Sequence, residues 1–264
     1  MEDLRYRIFD PTGNITALVE SELPERDQPA AAAALMRREP EVEQVGFLRP
    51  AEGDALPELR MAGGEFCANA SMCAAALCAL RCESAPETVR LRVSGARSEV
   101  LVRLQKETDG SFSAAVRMPG KPELFETEYV DGLLRGTLPG LRMEGITHLV
   151  IEEDSPLYAL LREPARAAKA VRTLCAAQRA KCLGLMFLGG GTPLALTPLV
   201  FVPESGTLFW ENSCASGSAA VGAYLAARAG SAVRLELREP GGTLEVESEP
   251  GGETWIRGRT RLIR

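Results

Sequence analysis

The 264-residue chain has no long run of apolar residues, only four lysines and a single histidine. A membrane-spanning helix needs about 20 consecutive apolar residues, so we expect no membrane partner. Acidic residues outnumber basic ones by 36 to 30, and no cluster of Lys and Arg offsets the formal charge of -6. Nucleic-acid phosphates attract basic surfaces. We therefore expect no nucleic acid and instead a small-molecule ligand or a protein partner.

The first residues lack a basic segment followed by an apolar core, and MEDLRYRIFD already alternates charged and apolar residues. This pattern argues against a secretory leader. Seven cysteines are an odd number in a chain that is large enough to fold without disulfides. The sequence therefore predicts reduced thiols and a cytoplasmic location.

Four of the cysteines lie in one short segment, but their spacing lacks the paired Cys-x-x-Cys of structural zinc sites. With one histidine in the chain, we expect no metal site. Buried cysteine behaves as a small apolar residue. Core packing is accordingly the predicted role of Cys78, Cys82, Cys175 and Cys182.

Hydrophobic periodicity predicts two similar α+β halves. In the first half we expect strands at 4–9, 15–20, 42–48, 59–61, 89–93, 99–104 and 114–118, with helices at 29–38 and 67–82. Asp27 is the expected cap of the first helix. In the second half we expect strands at 145–152, 186–188, 194–202, 208–210, 233–238, 244–246 and 255–262, with helices at 164–181 and 216–229.

Pro119, Gly120 and Pro122 interrupt this pattern and mark the predicted domain boundary. The expected domains are residues 1–118 and 119–255, with the last strand, 256–264, returning to the first domain. Each half contains one helix of small residues that a cysteine introduces, in the segments 65–71 (EFCANAS) and 212–218 (NSCASGS). A single cysteine before an alanine-rich helix is usually structural, but its occurrence at equivalent points of two similar halves favours a functional pair.

The start of a helix exposes unpaired N–H groups and a partial positive charge. A thiol there is expected to have a pKa below about 8.5, and the same N–H groups can bind a carboxylate. Inversion of a stereocentre needs a base on one face and an acid on the other. Cys67 and Cys214 meet this requirement, because two facing helix starts would place one sulfur on each side of an amino acid's α-carbon. Backbone N–H groups would stabilise the enediolate that forms when the α-proton leaves.

This chemistry needs no cofactor. Pyridoxal phosphate would need a Schiff-base lysine and a phosphate cradle, and none of the lysines lies in a convincing context. The run Gly189-Gly190-Gly191-Thr192 lacks the lysine and helix of a phosphate-binding loop and is more typical of a turn.

With both thiol segments identified, the chain resembles the diaminopimelate epimerase superfamily of cofactor-independent racemases and epimerases. Residues 67–70 (CANA) are similar to the family's first Cys-Gly-Asn-Gly motif, and residues 214–217 (CASG) to its second, Cys-Gly-Thr-Gly. The resemblance covers nearly the whole chain. It implies two pseudo-symmetric domains, each a sheet wrapped round a central helix, with the active site in the cleft between them. It is also compatible with a homodimer.

The resemblance implies roles for individual residues of this sequence. Cys67 and Cys214 would be the acid/base pair. The remaining matches would bind or orient the substrate, and the first four of them would do so through backbone N–H groups: Ala68, Asn69, Ala215, Ser216, Asn14, Gln44, Glu211 and His148. As a lone histidine, His148 is equally well explained as a structural residue.

Departures from the family pattern bear on the substrate. Asn212 stands where diaminopimelate epimerase has an arginine for the distal carboxylate, and an amide does not replace a guanidinium there. The segments Phe66–Ala70 and Gly13–Leu18 resemble instead the histidine racemases of metallophore pathways. Diaminopimelate epimerase and proline or hydroxyproline racemase are the competing enzymes. Three further classes are weighed and disfavoured. Cysteines at both helix starts argue against a non-catalytic amino-acid-binding protein on the same scaffold and against an isomerase without the cysteine pair. A Cys-His148 hydrolase is disfavoured because papain-like signatures around either cysteine are missing.

Overall fold

The computed structural model describes residues 4–51 and 55–264 and contains, within these ranges, sixteen strands and four α-helices. The first three residues of the MEDLRYRIFD segment lie outside them. The helices are α1 (Gln28–Arg38), α2 (Ala68–Leu80), α3 (Pro164–Gln178) and α4 (Ala215–Ala229). The strands are β1 (Tyr6–Pro11), β2 (Thr16–Val19), β3 (Gln44–Arg49), β4 (Glu58–Met61), β5 (Thr88–Val93), β6 (Val100–Lys106), β7 (Phe112–Arg117), β8 (Glu123–Val130), β9 (Arg135–Met143), β10 (Ile146–Glu152), β11 (Leu183–Gly189), β12 (Leu194–Val202), β13 (Thr207–Trp210), β14 (Val233–Glu239), β15 (Gly242–Ser248) and β16 (Thr254–Leu262).

Eight of these strands close into a ring. Strands β1 to β7 pair in sequence order, and β16 pairs with both β7 and β1. Closure removes the exposed edges that an open sheet would present. Strand β16 also pairs with β15, so the last strand joins the ring to the rest of the sheet.

Helix α2 packs against seven strands of this ring and is buried on nearly all sides. Its sequence explains this position, because eleven of its thirteen residues are Ala, Leu, Met or Cys and carry no charge. A helix that is apolar all round is stable only where it is covered all round.

The other eight strands extend the sheet beyond the ring, and helices connect parallel neighbours there as they do within the ring. Helices α1 and α2 each connect parallel neighbours, β2 to β3 and β4 to β5. Helices α3 and α4 likewise connect β10 to β11 and β12 to β14. Helix α4 packs on β14, β15 and β16 and also contacts α2.

The structure confirms most of the predicted elements but adds a hairpin that the pattern did not indicate. Strands β8 and β9 pair antiparallel over residues 123–142, directly after the proline-rich break. Strand β8 is mostly exposed, and its inner side carries Thr127 between Phe125 and Tyr129, so the apolar pattern is interrupted. Asp27 occupies the N-cap position of α1 as expected, at the end of a short 3-10 turn, but its side chain makes no capping hydrogen bond.

One of the predicted core cysteines, Cys82, lies outside the core, whereas Cys182 lies in the core but outside its expected helix. Cys82 is exposed, because α2 ends at Leu80. Cys182 is buried but follows α3, which ends at Gln178 because Arg179 adopts a left-handed conformation with φ of 51°. Cys182 therefore stands at the entry to β11, where it lines the cavity described below.

A close backbone approach before β10 holds the segment that precedes Cys67. Gly145 has a φ of +78°, and a Cβ placed on it would stand 2.8 Å from Phe66 N and 3.0 Å from Gly95 Cα. We expect Gly145→Ala to lower the free energy of unfolding by at least about 2 kcal/mol, from left-handed strain and from the clash together. Urea denaturation measures this.

Gly110→Ala is the matched control. Gly110 has a φ of +84°, yet a Cβ there would meet nothing within 4 Å. The control should therefore show the cost of the backbone conformation alone, about 1 kcal/mol. Equal losses in the two variants would contradict a steric role for Gly145.

Candidate active site

The predicted site residues converge on one small cavity. Its lining includes both helix-start cysteines and most of the other residues expected from the sequence. These lining residues are Asn14, Gln44, Cys67, Ala68, Asn69, Glu211, Cys214, Ala215 and Ser216. The structure adds Glu65, Phe66, Ile146, Cys182, Val200 and Val202. The cavity holds about 20 Å³, which is room for about one water molecule.

Cys67 caps the N-terminus of α2 from an extended conformation, with φ of -131° and ψ of 112°. Its Sγ accepts a hydrogen bond from Ala70 N at 3.4 Å. The Ser71 hydroxyl donates to the Cys67 carbonyl at 2.8 Å and fixes the same turn. The sulfur thus lies at the positive end of a buried helix.

Cys214 caps α4 in nearly the same conformation, with φ of -130° and ψ of 90°. Here a buried carboxylate occupies the helix start: Glu239 accepts hydrogen bonds from Cys214 N and from the Ser218 hydroxyl. The two cysteines therefore share a backbone geometry but differ in charge environment.

Hydrogen bonds across the cavity join residues of the first half of the chain to the region around Cys214. Asn14 Nδ2 and Asn69 Nδ2 both donate to the Ser213 carbonyl, at 2.8 and 2.9 Å. Gln44 Nε2 donates to Glu211 Oε1 at 2.9 Å. The N–H groups of the three predicted substrate-binding amides are therefore engaged with the protein in this closed arrangement.

Asn212, which replaces the arginine of diaminopimelate epimerase, does not line the cavity. Its side-chain amide and its backbone N–H both donate to the carboxylate of Glu43. Burial raises the pKa of Glu43, and these bonds from Asn212 act in the opposite direction. Asn212 thus adds a further link between the region around Cys214 and the first half of the chain.

His148 lies behind the cavity wall and is fully buried. Its Nε2 is 3.0 Å from the hydroxyl of Ser216, whose Oγ is 3.7 Å from Cys214 Sγ. Burial lowers the pKa of His148 to about 3, so the ring is neutral. His148 therefore contacts the Cys214 thiol only indirectly, through the hydroxyl of Ser216.

The expected lowering of the thiol pKa values was wrong for this closed site. Burial raises the pKa of Cys67, and the charges of Glu211 and Glu65 raise it further. Burial also raises the pKa of Cys214, together with the charges of Glu211 and Glu239. The positive ends of the helices lower the thiol pKa values less than desolvation and like charge raise them, because both of these disfavour a thiolate.

Three polar residues of the site were missed in the sequence. Glu65 stands two positions before Cys67, so its position beside the thiol is a signal that was available. Glu239 precedes Pro240 and Gly241 and has the sequence of an exposed turn, which gives no indication of burial. Cys182 gave no signal beyond its residue type.

Burial raises the pKa of Glu239 to about 7 and that of Glu211 to about 8. Between pH 4.5 and these folded values the groups retain protons only in the folded state, so stability falls as the pH rises. Their contribution is complete below the ordinary value of 4.5 and is lost above the folded values. The neutral His148 acts in the opposite direction, but only between about pH 3 and pH 6.5.

Glu239→Gln should accordingly flatten the dependence of stability on pH by up to about 1.4 kcal/mol per pH unit. Urea midpoints measured across pH 5 to 7.5 test this, since the Glu239 contribution is lost as the pH rises through about 7. Glu236→Gln is the control, because Glu236 is exposed on the same strand. Parallel slopes for Glu239→Gln and the natural protein would contradict the assignment.

Within residues 4–51 and 55–264, no cluster of His, Cys, Asp and Glu is arranged to hold a metal ion. None of the helices in the described part of the chain has the length and apolar character needed to span a membrane.

Solved structures of low sequence identity share this fold. A probable proline racemase from Agrobacterium radiobacter, solved with bound carbonate, has a TM-score of 0.73 at 14% identity, covering 98% of this chain and 91% of that one. A hydroxyproline epimerase from Agrobacterium vitis, solved with trans-4-hydroxy-L-proline, has a TM-score of 0.69 at 16% identity, covering 97% and 88%. A PhzF-family protein from Enterococcus faecalis reaches 0.62 at 16% identity, covering 98% and 96%. The fold is therefore the α+β barrel fold of proline racemases and PhzF-like proteins.

Comparison of the amino-acid sequence identifies one family among the proteins that share this fold. The family model described as "Histidine racemase CntK N-terminal domain" matches residues 3–256. A histidine racemase from Fusobacterium nucleatum subsp. nucleatum is 28% identical over 266 aligned residues, covering 97% of this chain and 92% of that protein. One from Staphylococcus aureus is 27% identical, covering 98% and 95%. The chain belongs to this histidine racemase family.

Proposed function

We propose that this protein interconverts L- and D-histidine without a cofactor, using Cys67 and Cys214 as its acid/base pair. One observation carries the proposal: both cysteines cap buried helices with the same backbone conformation, and both line the same cavity. Histidine as the substrate rests on the family relationship.

The substrate carboxylate is bound between the two helix starts. Backbone N–H groups of Ala68, Asn69, Ala215 and Ser216 belong to the first turns of α2 and α4, where anions are favoured. Asn69 Oδ1 is buried and has no hydrogen-bond partner in the described part of the chain. It accepts from the substrate ammonium, together with the carboxylate of Glu211.

A thiolate on one side removes the α-proton, and the electron pair moves into the carboxylate to give an enediolate. The N–H groups that bind the carboxylate stabilise this charge. The opposite thiol then donates its proton to the other face and becomes the thiolate. Burial keeps Glu211 largely protonated near neutral pH and disfavours thiolates in the closed site. The incoming ammonium would therefore favour the Glu211 carboxylate and offset the negative charge that opposes a thiolate.

Substrate entry requires the site to open. Ligand pockets usually measure about 300–1,000 Å³, far more than the cavity of 20 Å³ seen here. Opening would break the bonds from Asn14 and Asn69 to Ser213 and the bond between Gln44 and Glu211. We propose that the moving parts are the two pseudo-symmetric domains, residues 1–118 with 256–264 and residues 119–255. In this proposal α2 and α4 are their central helices, which the matched crossovers around them support.

We also place the enzyme in the cytoplasm, since all seven cysteines are free thiols and such thiols persist in a reducing compartment. A homodimer is proposed from the resemblance to the epimerase superfamily. Light scattering coupled to size exclusion measures its mass.

The function is tested by incubating the enzyme, without added cofactor, with L-amino acids in deuterated buffer that contains a thiol reductant. Histidine, diaminopimelate and proline are tested separately. We expect α-proton exchange and formation of the D-enantiomer for histidine. Exchange confined to another amino acid would contradict the assignment of histidine as the substrate. Binding of an amino acid without exchange would identify a binding protein.

A further inference from the structure

A buried carboxylate that the catalytic chemistry does not use lines one wall of the cavity. Glu65 is 8% exposed, and its Oε2 has no hydrogen-bond partner among residues 4–51 and 55–264. Buried polar atoms are rarely left unpaired, because desolvation without compensation costs about 1–3 kcal/mol. A buried acceptor that faces a ligand cavity is therefore expected to find its partner in the ligand.

The surroundings of Glu65 indicate the shape of that partner. A Cβ placed on Gly63 would be 2.6 Å from both Glu65 Oε2 and Val202 Cγ1, so the carboxylate and Val202 lie side by side. Phe66, Ile146 and Val200 line the same cavity. An acceptor beside apolar side chains fits a group with apolar faces and a polar N–H edge.

The other polar groups of the cavity already have a role in the proposed reaction. The helix starts bind the carboxylate, while Asn69 Oδ1 and Glu211 accept from the ammonium. One oxygen of Glu211 is also occupied by Gln44. Among the residues that line the cavity, Glu65 is thus the buried carboxylate left for the substrate side chain.

We infer that Glu65 is the specificity-determining residue of this enzyme and that its carboxylate accepts a hydrogen bond from a ring N–H of the substrate imidazole. This inference rests on the proposed function. A neutral imidazole supplies one such N–H and an imidazolium two, so either form satisfies the carboxylate. The apolar neighbours cover the ring faces.

The test compares L-histidine with L-β-(2-thienyl)alanine, whose five-membered ring has no N–H. The enzymes are the natural protein, Glu65→Gln and the control Glu204→Gln, which changes an exposed carboxylate two residues after Val202. The kinetic constants for histidine come from racemisation assays. The inhibition constant of thienylalanine comes from its competition with histidine.

We expect Glu65→Gln to raise the KM for histidine at least 10-fold, because a neutral amide with one acceptor oxygen replaces a carboxylate with two and accepts a weaker hydrogen bond. The inhibition constant for thienylalanine should stay within threefold, and Glu204→Gln should change neither constant. An unchanged histidine KM would overturn the inference. Equal weakening of both ligands would also overturn it, because it would show that Glu65 acts through the thiols or the fold.

Glu65→Asp is a second variant in case Glu65→Gln does not fold. It keeps the charge but withdraws it by one methylene group, so only the histidine KM should rise. The proposed function fails separately, by a different result: natural enzyme that exchanges no α-proton of histidine. That result would remove the basis of the specificity assignment as well.

Discussion

Replacing either Cys67 or Cys214 with serine should lower histidine racemisation by about 10³-fold or more. A positioned acid or base contributes about 10²–10⁴-fold, and racemisation needs one group on each face. Serine has nearly the size of cysteine, but its hydroxyl does not ionise in the range where a thiol does. Chiral chromatography of the product after long incubation measures the residual rate.

Cys182→Ser is the matched control, because Cys182 lines the same cavity but does not cap a helix. Its racemisation rate should stay within a few-fold of the natural rate. Cys82→Ser, at an exposed position, should have no effect. A Cys67→Ser enzyme that racemises at near the natural rate would refute the two-thiol mechanism.

Glu211→Gln should reduce kcat/KM for histidine by about 10²-fold or more, since a buried carboxylate that binds the ammonium is lost. The same change should make Cys214 more reactive toward iodoacetamide. The charge of Glu211 raises the pKa of Cys214, so its removal favours the thiolate, which is the reactive form. Rising alkylation with falling turnover is the distinguishing result.

Mass spectrometry of the alkylated peptide containing Cys214 measures the reactivity across pH 7 to 9. Glu204→Gln is the control for both readouts, because Glu204 is exposed and outside the cavity. If Glu211→Gln lowers the activity and the alkylation rate together, the role of Glu211 is to stabilise the fold, and the electrostatic role would be contradicted.

The elements of the site were predictable where local patterns determine structure. Helices α2 and α4 begin within one residue of the predicted positions, because a run of small apolar residues favours a buried helix and a cysteine in extended conformation precedes each run. Strands β5, β14 and β15, which pack against them, also alternate between buried and more exposed residues. Strand β8 was missed because it is mostly exposed and its sequence lacks a continuous apolar face.

The electrostatics of the site were only partly predictable from the sequence, in which Glu65 and Glu211 stand two and three residues before the cysteines. The thiol pKa values depend on Glu65, Glu211 and Glu239, which lie far apart in the chain and come together only after folding. Glu239 in particular lies 25 residues after Cys214, yet it bonds to the start of α4. Sequence reasoning predicted the helix effect, which is local, and missed the burial and like charge that exceed it.

The most direct test of two thiols on opposite faces is the position of the label early in the reaction. L-histidine is incubated in deuterated buffer and stopped after a few per cent conversion. Mass spectrometry of the separated enantiomers should find deuterium in nearly all the D-histidine and almost none in the remaining L-histidine, because one thiol removes the proton and the solvent-exchanged other thiol donates a deuteron. D-histidine that retains the original α-proton would show that one group serves both faces and would contradict the account.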